Sequence, residues 1–221
     1  MKKDILNETL QNKTVRSYGP LNSTYVERIF ETINKALNEY PRLLAVRLDL
    51  RLPDDDLSDC LTNYKPDADV ITRFIASLKA QIKASVKQRK KAGKRTFPCT
   101  LRYVWVREFN SEGKKHYHVL LLINRDVYLG LGCYGGEIGE GVRAEGLASM
   151  VFKAWISATR LEEMKYRRLV YFPYQGCYHL IRSGPFFKKN CELVIQRALY
   201  LAKERSKSNE DGWRNFGCSQ N

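Results

Sequence analysis

The hydrophobic positions along this chain switch between a helical and a strand period. Val26, Ile29, Phe30, Ile33 and Leu37 recur at helical spacing up to Pro41, and Thr24 with Glu27 three residues on forms a capping-box pattern. From Leu43 to Arg51 the period becomes two. Leu44, Val46, Leu48 and Leu50 share one face of a strand, and Arg47, Asp49 and Arg51 the other. Residues 69–90 are predicted to form the longest helix, with one apolar stripe running from Val70 to Val86. Two strands follow, Thr100–Phe109 and Lys115–Asn124, joined as a hairpin through Asn110–Lys114. Leu147–Thr159 reads as a helix, and Leu169–Phe172 and Cys177–Ile181 as short strands. A last helix is predicted from about Lys189 to Ser206, with Cys191, Val194, Ile195, Ala198 and Ala202 as its stripe. The tail from Asp211 to Ser219 carries two aromatics and is expected to pack back on the domain.

These elements predict an α+β fold, an antiparallel sheet of about five strands with helices packed on it, ferredoxin- or RRM-like. Residues 1–21 are polar and aperiodic and read as a loose arm. The division is an N-terminal arm and helix over 1–40, then a domain over 41–221.

Composition narrows the class of partner. The chain has 221 residues, 38 Lys+Arg against 24 Asp+Glu, and a formal charge of +14. Such a charge implies a polyanion, most often nucleic acid. The run Lys87-Gln88-Arg89-Lys90-Lys91, continuing to Arg95, closes the longest helix and offers phosphate contacts, or is simply solvated surface. No apolar run approaches membrane-spanning length, and Met1–Glu8 lacks an apolar signal region, so a cytoplasmic protein is expected. The six cysteines are scattered with no C-x-x-C pair and read as reduced thiols. Seven glycines between 128 and 146 end in no P-loop signature and read as a flap, a connection or a loop without function. The triplet Asp54-Asp55-Asp56 sits in a turn and reads as a solvated cap before a metal site.

Two of the three histidines lie two residues apart on the predicted strand, His116-Tyr117-His118, and so point to one face. Two imidazoles side by side can hold a divalent cation, or can be two polar side chains at the mouth of a sheet. The third, His179, lies in an apolar strand and reads as structural. Downstream, Tyr200 falls off the apolar stripe of its helix, with Lys203 one turn on.

The order His116-Tyr117-His118, then Tyr200-Leu201-Ala202-Lys203, resembles the HUH endonucleases, the rolling-circle replication initiators and relaxases. The phrases Val104–Phe109, Tyr200–Glu204 and Arg214–Ser219 resemble the replication proteins of filamentous phages (inoviruses) and their prophage-borne relatives, over roughly residues 40–219. This resemblance implies an HUH-type nicking domain, with Mg²⁺ or Mn²⁺ on His116 and His118. It implies Tyr200 as the nucleophile that leaves a 5′-phosphotyrosine link, assisted by Lys203. It also implies single-stranded origin DNA as partner, with a host replication helicase or polymerase beside it and no membrane, in a bacterial cytoplasm. Single-tyrosine chemistry is expected, since Gln196 and Glu204 flank Tyr200 one turn away. The family's third ligand is assigned to Glu108, with Glu112 and Asp49 as fallbacks. Glu108 shares a face with a histidine only if the hairpin loop is odd in length or bulged at Gly113. The basic residues Lys87, Arg89, Lys90 and Lys91 are the expected DNA contacts.

One feature of the sequence opposes this arrangement. If the stripe of the last helix packs on the sheet, Tyr200 points away from the histidines, unless Leu193 and Leu199 face the sheet instead. Two other functions remain open on the same fold. One is a non-catalytic single-strand-binding or regulatory protein with exposed aromatics stacking on bases. The other is a metal-dependent nuclease that activates water.

Overall fold

The computed structural model describes residues 3–53, 64–132, 146–161, 164–205, 207–208 and 210–220. The acidic triplet 54–56, Cys60, Cys133 and residues 133–145 of the glycine-rich segment lie outside them. The elements run α1 (Lys3–Leu10), α2 (Lys13–Arg16), α3 (Ser23–Glu39), β1 (Arg42–Arg51), α4 (Val70–Lys91), β2 (Arg102–Phe109), β3 (Lys115–Asn124), α5 (Leu147–Thr159), a 3₁₀ segment (Met164–Leu169), β4 (Val170–Tyr171), β5 (Cys177–Ile181), α6 (Phe187–Leu199), a 3₁₀ turn (Tyr200–Ala202) and β6 (Phe216–Cys218).

The six strands form one antiparallel sheet in the order β4-β1-β3-β2-β6, with β5 continuing β4 along the same edge of β1. From β1 to β4 and β5 the chain follows the split β-α-β pattern of ferredoxin-like folds. The period of two divides the strands between two cores. Leu44, Val46, Leu48, Leu50, Val119 and Leu121 pack under α4 and α5. Leu43, Ala45, Val104, Val106, Leu120 and Leu122 pack under α1, α3 and α6. Burying a leucine of this kind stabilises by roughly 1.5–3 kcal/mol relative to leaving it exposed, so both faces are needed to order a chain of this size.

Several expectations change. Residues 3–16 are not a loose arm: they form two short helices that bury Ile5, Thr9 and Val15 against the second core. Helices this short present too few apolar residues to show a period. The cap of α3 is Asn22, not Thr24, because the Asn22 side chain accepts a hydrogen bond from the Tyr25 N–H at 3.1 Å. The last helix does not reach Ser206; it ends at Leu199 and tightens into the 3₁₀ turn. The tail does return, as β6 on β2. There Gly217 lies against the Trp105 indole, where a Cβ would come within 2.5 Å of the ring, so only glycine lets the strand approach. Cys99, Cys177, Cys191 and Cys218 are free thiols.

Candidate metal centre and its tyrosine

The β2–β3 connection decides which residues meet. Asn110 closes it by accepting from the Glu112 and Lys114 N–H groups, and Gly113 takes a φ of +75°, which suits glycine. Five residues, 110–114, separate the paired positions Phe109 and Lys115, so the loop is odd. Glu108 therefore stands opposite His116, and Val106 opposite His118. On the other side of β3, Asp49 pairs with His118 and Arg51 with His116. Directly paired residues share a face, so Glu108, His116, His118, Asp49 and Arg51 all project from the sheet face that α6 covers further along.

Glu108, His116 and His118 each present a ligand atom within 4.8 Å of the others. Asp49 approaches from the far side of His118, with its Oδ1 2.7 Å from Nδ1. A carboxylate can only accept, so Nδ1 carries a hydrogen; Nε2 carries a second one while the ring is charged and keeps a lone pair when it is neutral. That nitrogen faces the Glu108 carboxylate at 3.4 Å. The arrangement is a carboxylate–histidine pair of the kind that orients metal ligands. Behind it, the buried Arg47 guanidinium pairs with Asp49 and donates to the Leu48 carbonyl. Burial pushes the Asp49 carboxyl up, but the hydrogen bond to His118 and the charge of Arg47 outweigh it and hold the group at about 2. Burial and the nearby charge of His118 push His116 down, which favours its neutral, ligating form.

Tyr200 is brought to this centre by the end of α6. The stripe of Cys191, Val194, Ile195 and Ala198 does pack into the sheet-side core, and Leu193 stays largely exposed. The chain then tightens from 3.6 to 3 residues per turn. In a 3₁₀ turn the side chains at i and i+3 eclipse, which stacks Lys203 over Tyr200. The Lys203 ammonium lies 3.8 Å from the Tyr200 ring centroid and donates to its hydroxyl at 2.6 Å. The Tyr200 ring meets the His118 ring edge-on, with centroids 5.5 Å apart. Leu199, unlike Leu193, is fully buried in the same core, so the helix leans on the sheet through Leu199 as well as through its stripe, and Tyr200 next to it meets the His118 ring.

Glu108 links the two halves. Its Oε2 lies 2.8 Å from Lys203 Nζ, and its Oε1 3.4 Å from Lys207 Nζ. Burial pushes the Glu108 carboxyl up; hydrogen bonds and charge from His118 and Lys203 pull it down to about 2. The N-terminal segment fixes the turn from outside. Leu21 bridges to Lys203, the Asn22 N–H donates to the Ala202 carbonyl at 2.8 Å, and Tyr18 sets its ring edge-on against Tyr200 at 5.4 Å.

The structure thus unites His116, His118, Glu108, Tyr200 and Lys203. It does not bring Lys87, Arg89, Lys90 and Lys91 to them. Arg89 donates to the Val127 carbonyl beyond the far end of β3, and Asn124 is about 20 Å along the strand from His118 at ~3.3 Å per residue. Glu112 is exposed and pairs with Lys114, outside the cluster, and Asp49 stands behind His118. His179, on β5, accepts from Arg125 just past the end of β3, away from the pair. Arg47, Lys207 and Tyr18 were not assigned from sequence. Arg47 and Asp49 had a signal, as charges alternating inside an apolar strand; Lys207 and Tyr18 had none.

A half-open cleft of about 440 Å³ lies beside the histidines, lined among others by Arg51, Lys114 and Lys115. The fold and this centre define an α+β protein with a His–His–Glu cluster, Glu108 and His118 buried and His116 half-buried, and a tyrosine–lysine turn at its edge. The chain belongs to the YagK/YfjJ C-terminal domain family, which matches residues 4–219. It is 36% identical over 214 residues to the protein YagK of Escherichia coli K12, covering 93% of this chain and 99% of that one. It is 34% identical over 207 residues to YfjJ of the same organism, covering 92% and 97%. Both relatives are described as uncharacterized. No solved structure matches the chain. No helix among the described residues is long and apolar enough to cross a membrane.

Proposed function

We propose that this protein is a metal-dependent, single-tyrosine DNA nicking and joining enzyme of the HUH type. It would start rolling-circle replication of a phage or prophage-like element in the bacterial cytoplasm, acting on single-stranded origin DNA. The observation that carries this reading is Tyr200 beside His118, its hydroxyl held by the lysine that also holds Glu108.

The donors fit a divalent cation. His116, His118 through Nε2, and Glu108 would hold it, with Asp49 orienting His118. Two imidazoles and one carboxylate suit Mn²⁺ better than Mg²⁺, which prefers oxygen ligands. When bound, the cation would polarise the scissile phosphate and offset charge that develops on it. Tyr200 Oη would attack phosphorus; the Oη–P bond forms as the P–O3′ bond breaks. The phenolic proton leaves, the departing 3′ oxygen gains one, and a 5′-phosphotyrosine link and a free 3′-OH result. Lys203 would balance negative charge on the tyrosine oxygen as its proton departs. Attack by a 3′-OH on the link reverses the step and joins strands.

The pairing of Glu108 with two lysines also suits a purely structural ion network, and this favours, as a second reading, a non-catalytic single-strand-binding protein on the same fold. The test is incubation of labelled single-stranded origin DNA with protein and Mn²⁺, read on a denaturing gel. A covalent adduct is expected with the wild type and none with Tyr200→Phe, at equal DNA affinity. Binding by the wild type with neither cleavage nor adduct would establish the second reading; cleavage without adduct would point to water activation.

A further inference from the structure

The row of residues across the sheet continues past the metal centre to its edge. β4 pairs with β1 so that Tyr171 stands opposite Asp49, and Val170 opposite Leu50. Val170 enters the core beneath α4 and α5 with Leu50. Tyr171 therefore rises from the other face, the one that carries Asp49, His118 and Glu108. Two strand spacings separate it from His118, about 10 Å. It is 48% exposed at the margin of the sheet, where a core tyrosine would be covered. Tyr174, three residues on, is 84% exposed.

Arg51 completes the platform. It stands opposite His116 on β1, lines the cleft, and holds its guanidinium 5.6 Å from the Tyr171 ring centroid. Among the described residues no carboxylate pairs with it. The acids of the cleft are engaged elsewhere: Asp49 with Arg47 and His118, Glu112 with Lys114. The surface between the sheet edge and the histidines thus offers an exposed ring with a cation beside it. That pairing matches one nucleotide, whose base has a π face and whose phosphate is an anion.

We propose that Tyr171 is a base-stacking subsite for single-stranded DNA that reaches the centre over the β4 edge, with Arg51 against the adjoining phosphate. This rests on the nicking reading for its choice of polymer, but its test does not need cleavage. Thymidine oligonucleotides are bound to the full chain in chelator, and affinity is read by fluorescence anisotropy. Tyr171→Ala is expected to weaken binding about tenfold or more, and Tyr171→Phe to preserve it, because stacking needs the ring and not the hydroxyl. Arg51→Gln is expected to reduce the salt slope by roughly 0.7, the share of one single-strand phosphate contact. In the wild type, removing one base at a time should reveal a position whose loss weakens binding, and that penalty should vanish in Tyr171→Ala.

Unchanged melting temperatures exclude a folding effect at this exposed position. The proposal is overturned if Tyr171→Ala binds as the wild type does, if Tyr171→Phe loses as much as Tyr171→Ala, or if the wild type does not bind the oligonucleotide. The two readings separate cleanly. Adduct formation with an unaffected Tyr171→Ala affinity would retain the nicking assignment and reject the platform. A Tyr171-dependent affinity without any adduct would do the reverse.

Discussion

The two ends of one sheet face are built from the same three strands and have opposite chemistry. At the far end, Leu43 and Ala45 of β1, Leu120 and Leu122 of β3 and Val104 of β2 lie buried beneath α1, α3 and α6. At the near end the same alternation delivers Arg47, Asp49, His116, His118 and Glu108. The boundary falls within one step of the period on each strand, and α6 stops there. A helix that ran on would cover the ionised end and carry Tyr200 past it. Ending at Leu199, it lays the tyrosine and Lys203 across the boundary instead. Stability resides at one end, and groups able to do chemistry at the other.

Substitutions at the two ends should therefore separate. Leu120→Ala at the covered end is expected to cost about 2–5 kcal/mol, measured by denaturant unfolding, and to leave metal affinity at the histidines intact. The double variant His116→Ala/His118→Ala should show the opposite pattern. In the wild type, Mn²⁺ at a hundred times its Kd should add about 2.7 kcal/mol. For a chain of this length that raises Tm by about 5–10 °C, and the double variant should show no rise. A Mn²⁺-dependent Tm that survives the double substitution would break the comparison.

Glu108→Gln tests how far the open end depends on its charges. It keeps the shape and removes the charge facing the Lys203 and Lys207 ammonium groups, so a loss of about 1–3 kcal/mol is expected from thermal or denaturant unfolding. Glu108→Ala should cost more, because it leaves both cations buried beside a void.

Acid should first loosen a clamp on the other sheet face, where Arg107 stands opposite Tyr117. The Arg107 guanidinium beside Asp211 holds that carboxyl at about 2, with a hydrogen bond from Nη2 at 2.8 Å. The folded pKa is depressed, so the stabilisation is present above the unfolded pKa of about 3.8–3.9 and is lost as pH falls through about 2. Hydrogen exchange at β6, which follows this clamp, should accelerate in that window, ahead of exchange at the covered stretch of β3. Simultaneous acceleration of both would deny that this clamp holds β6 separately from the rest of the sheet.

The smallest effect is assigned to the basic end of α4. Replacing Lys87, Lys90 and Lys91 by alanine should lower the salt slope of single-stranded DNA binding by no more than about 2, and leave adduct formation in place. These residues lie at the far end of the sheet, so an abolished adduct would mean that the DNA path wraps further than the cleft.

What the sequence determined by itself was the alternation. A period of two puts His116 and His118 on one face, and Arg47 with Asp49 on one face, whatever surrounds them. The stripes of α3, α4, α5 and α6, and hence the α+β layers, follow from the same kind of local constraint. Whether Glu108 joins the histidines depends on the parity of the β2–β3 loop, which Asn110 and Gly113 settle through hydrogen bonds that the pattern of residues leaves open between a two-residue and a five-residue turn. The pairing of Asp49 with His118 needed the register of β1 on β3, a contact between residues far apart in the chain. The position of Tyr200 was the least local of all. Its distance from the stripe of α6 argued that it faces away. Only the tertiary structure ends the helix at Leu199, because the Leu21–Lys203 bridge and the Asn22 N–H on Ala202 hold the next turn in 3₁₀ form. Periodicity fixes faces, because it is a property of the backbone. Where an element stops, and what it then points at, is fixed by partners that the backbone does not specify.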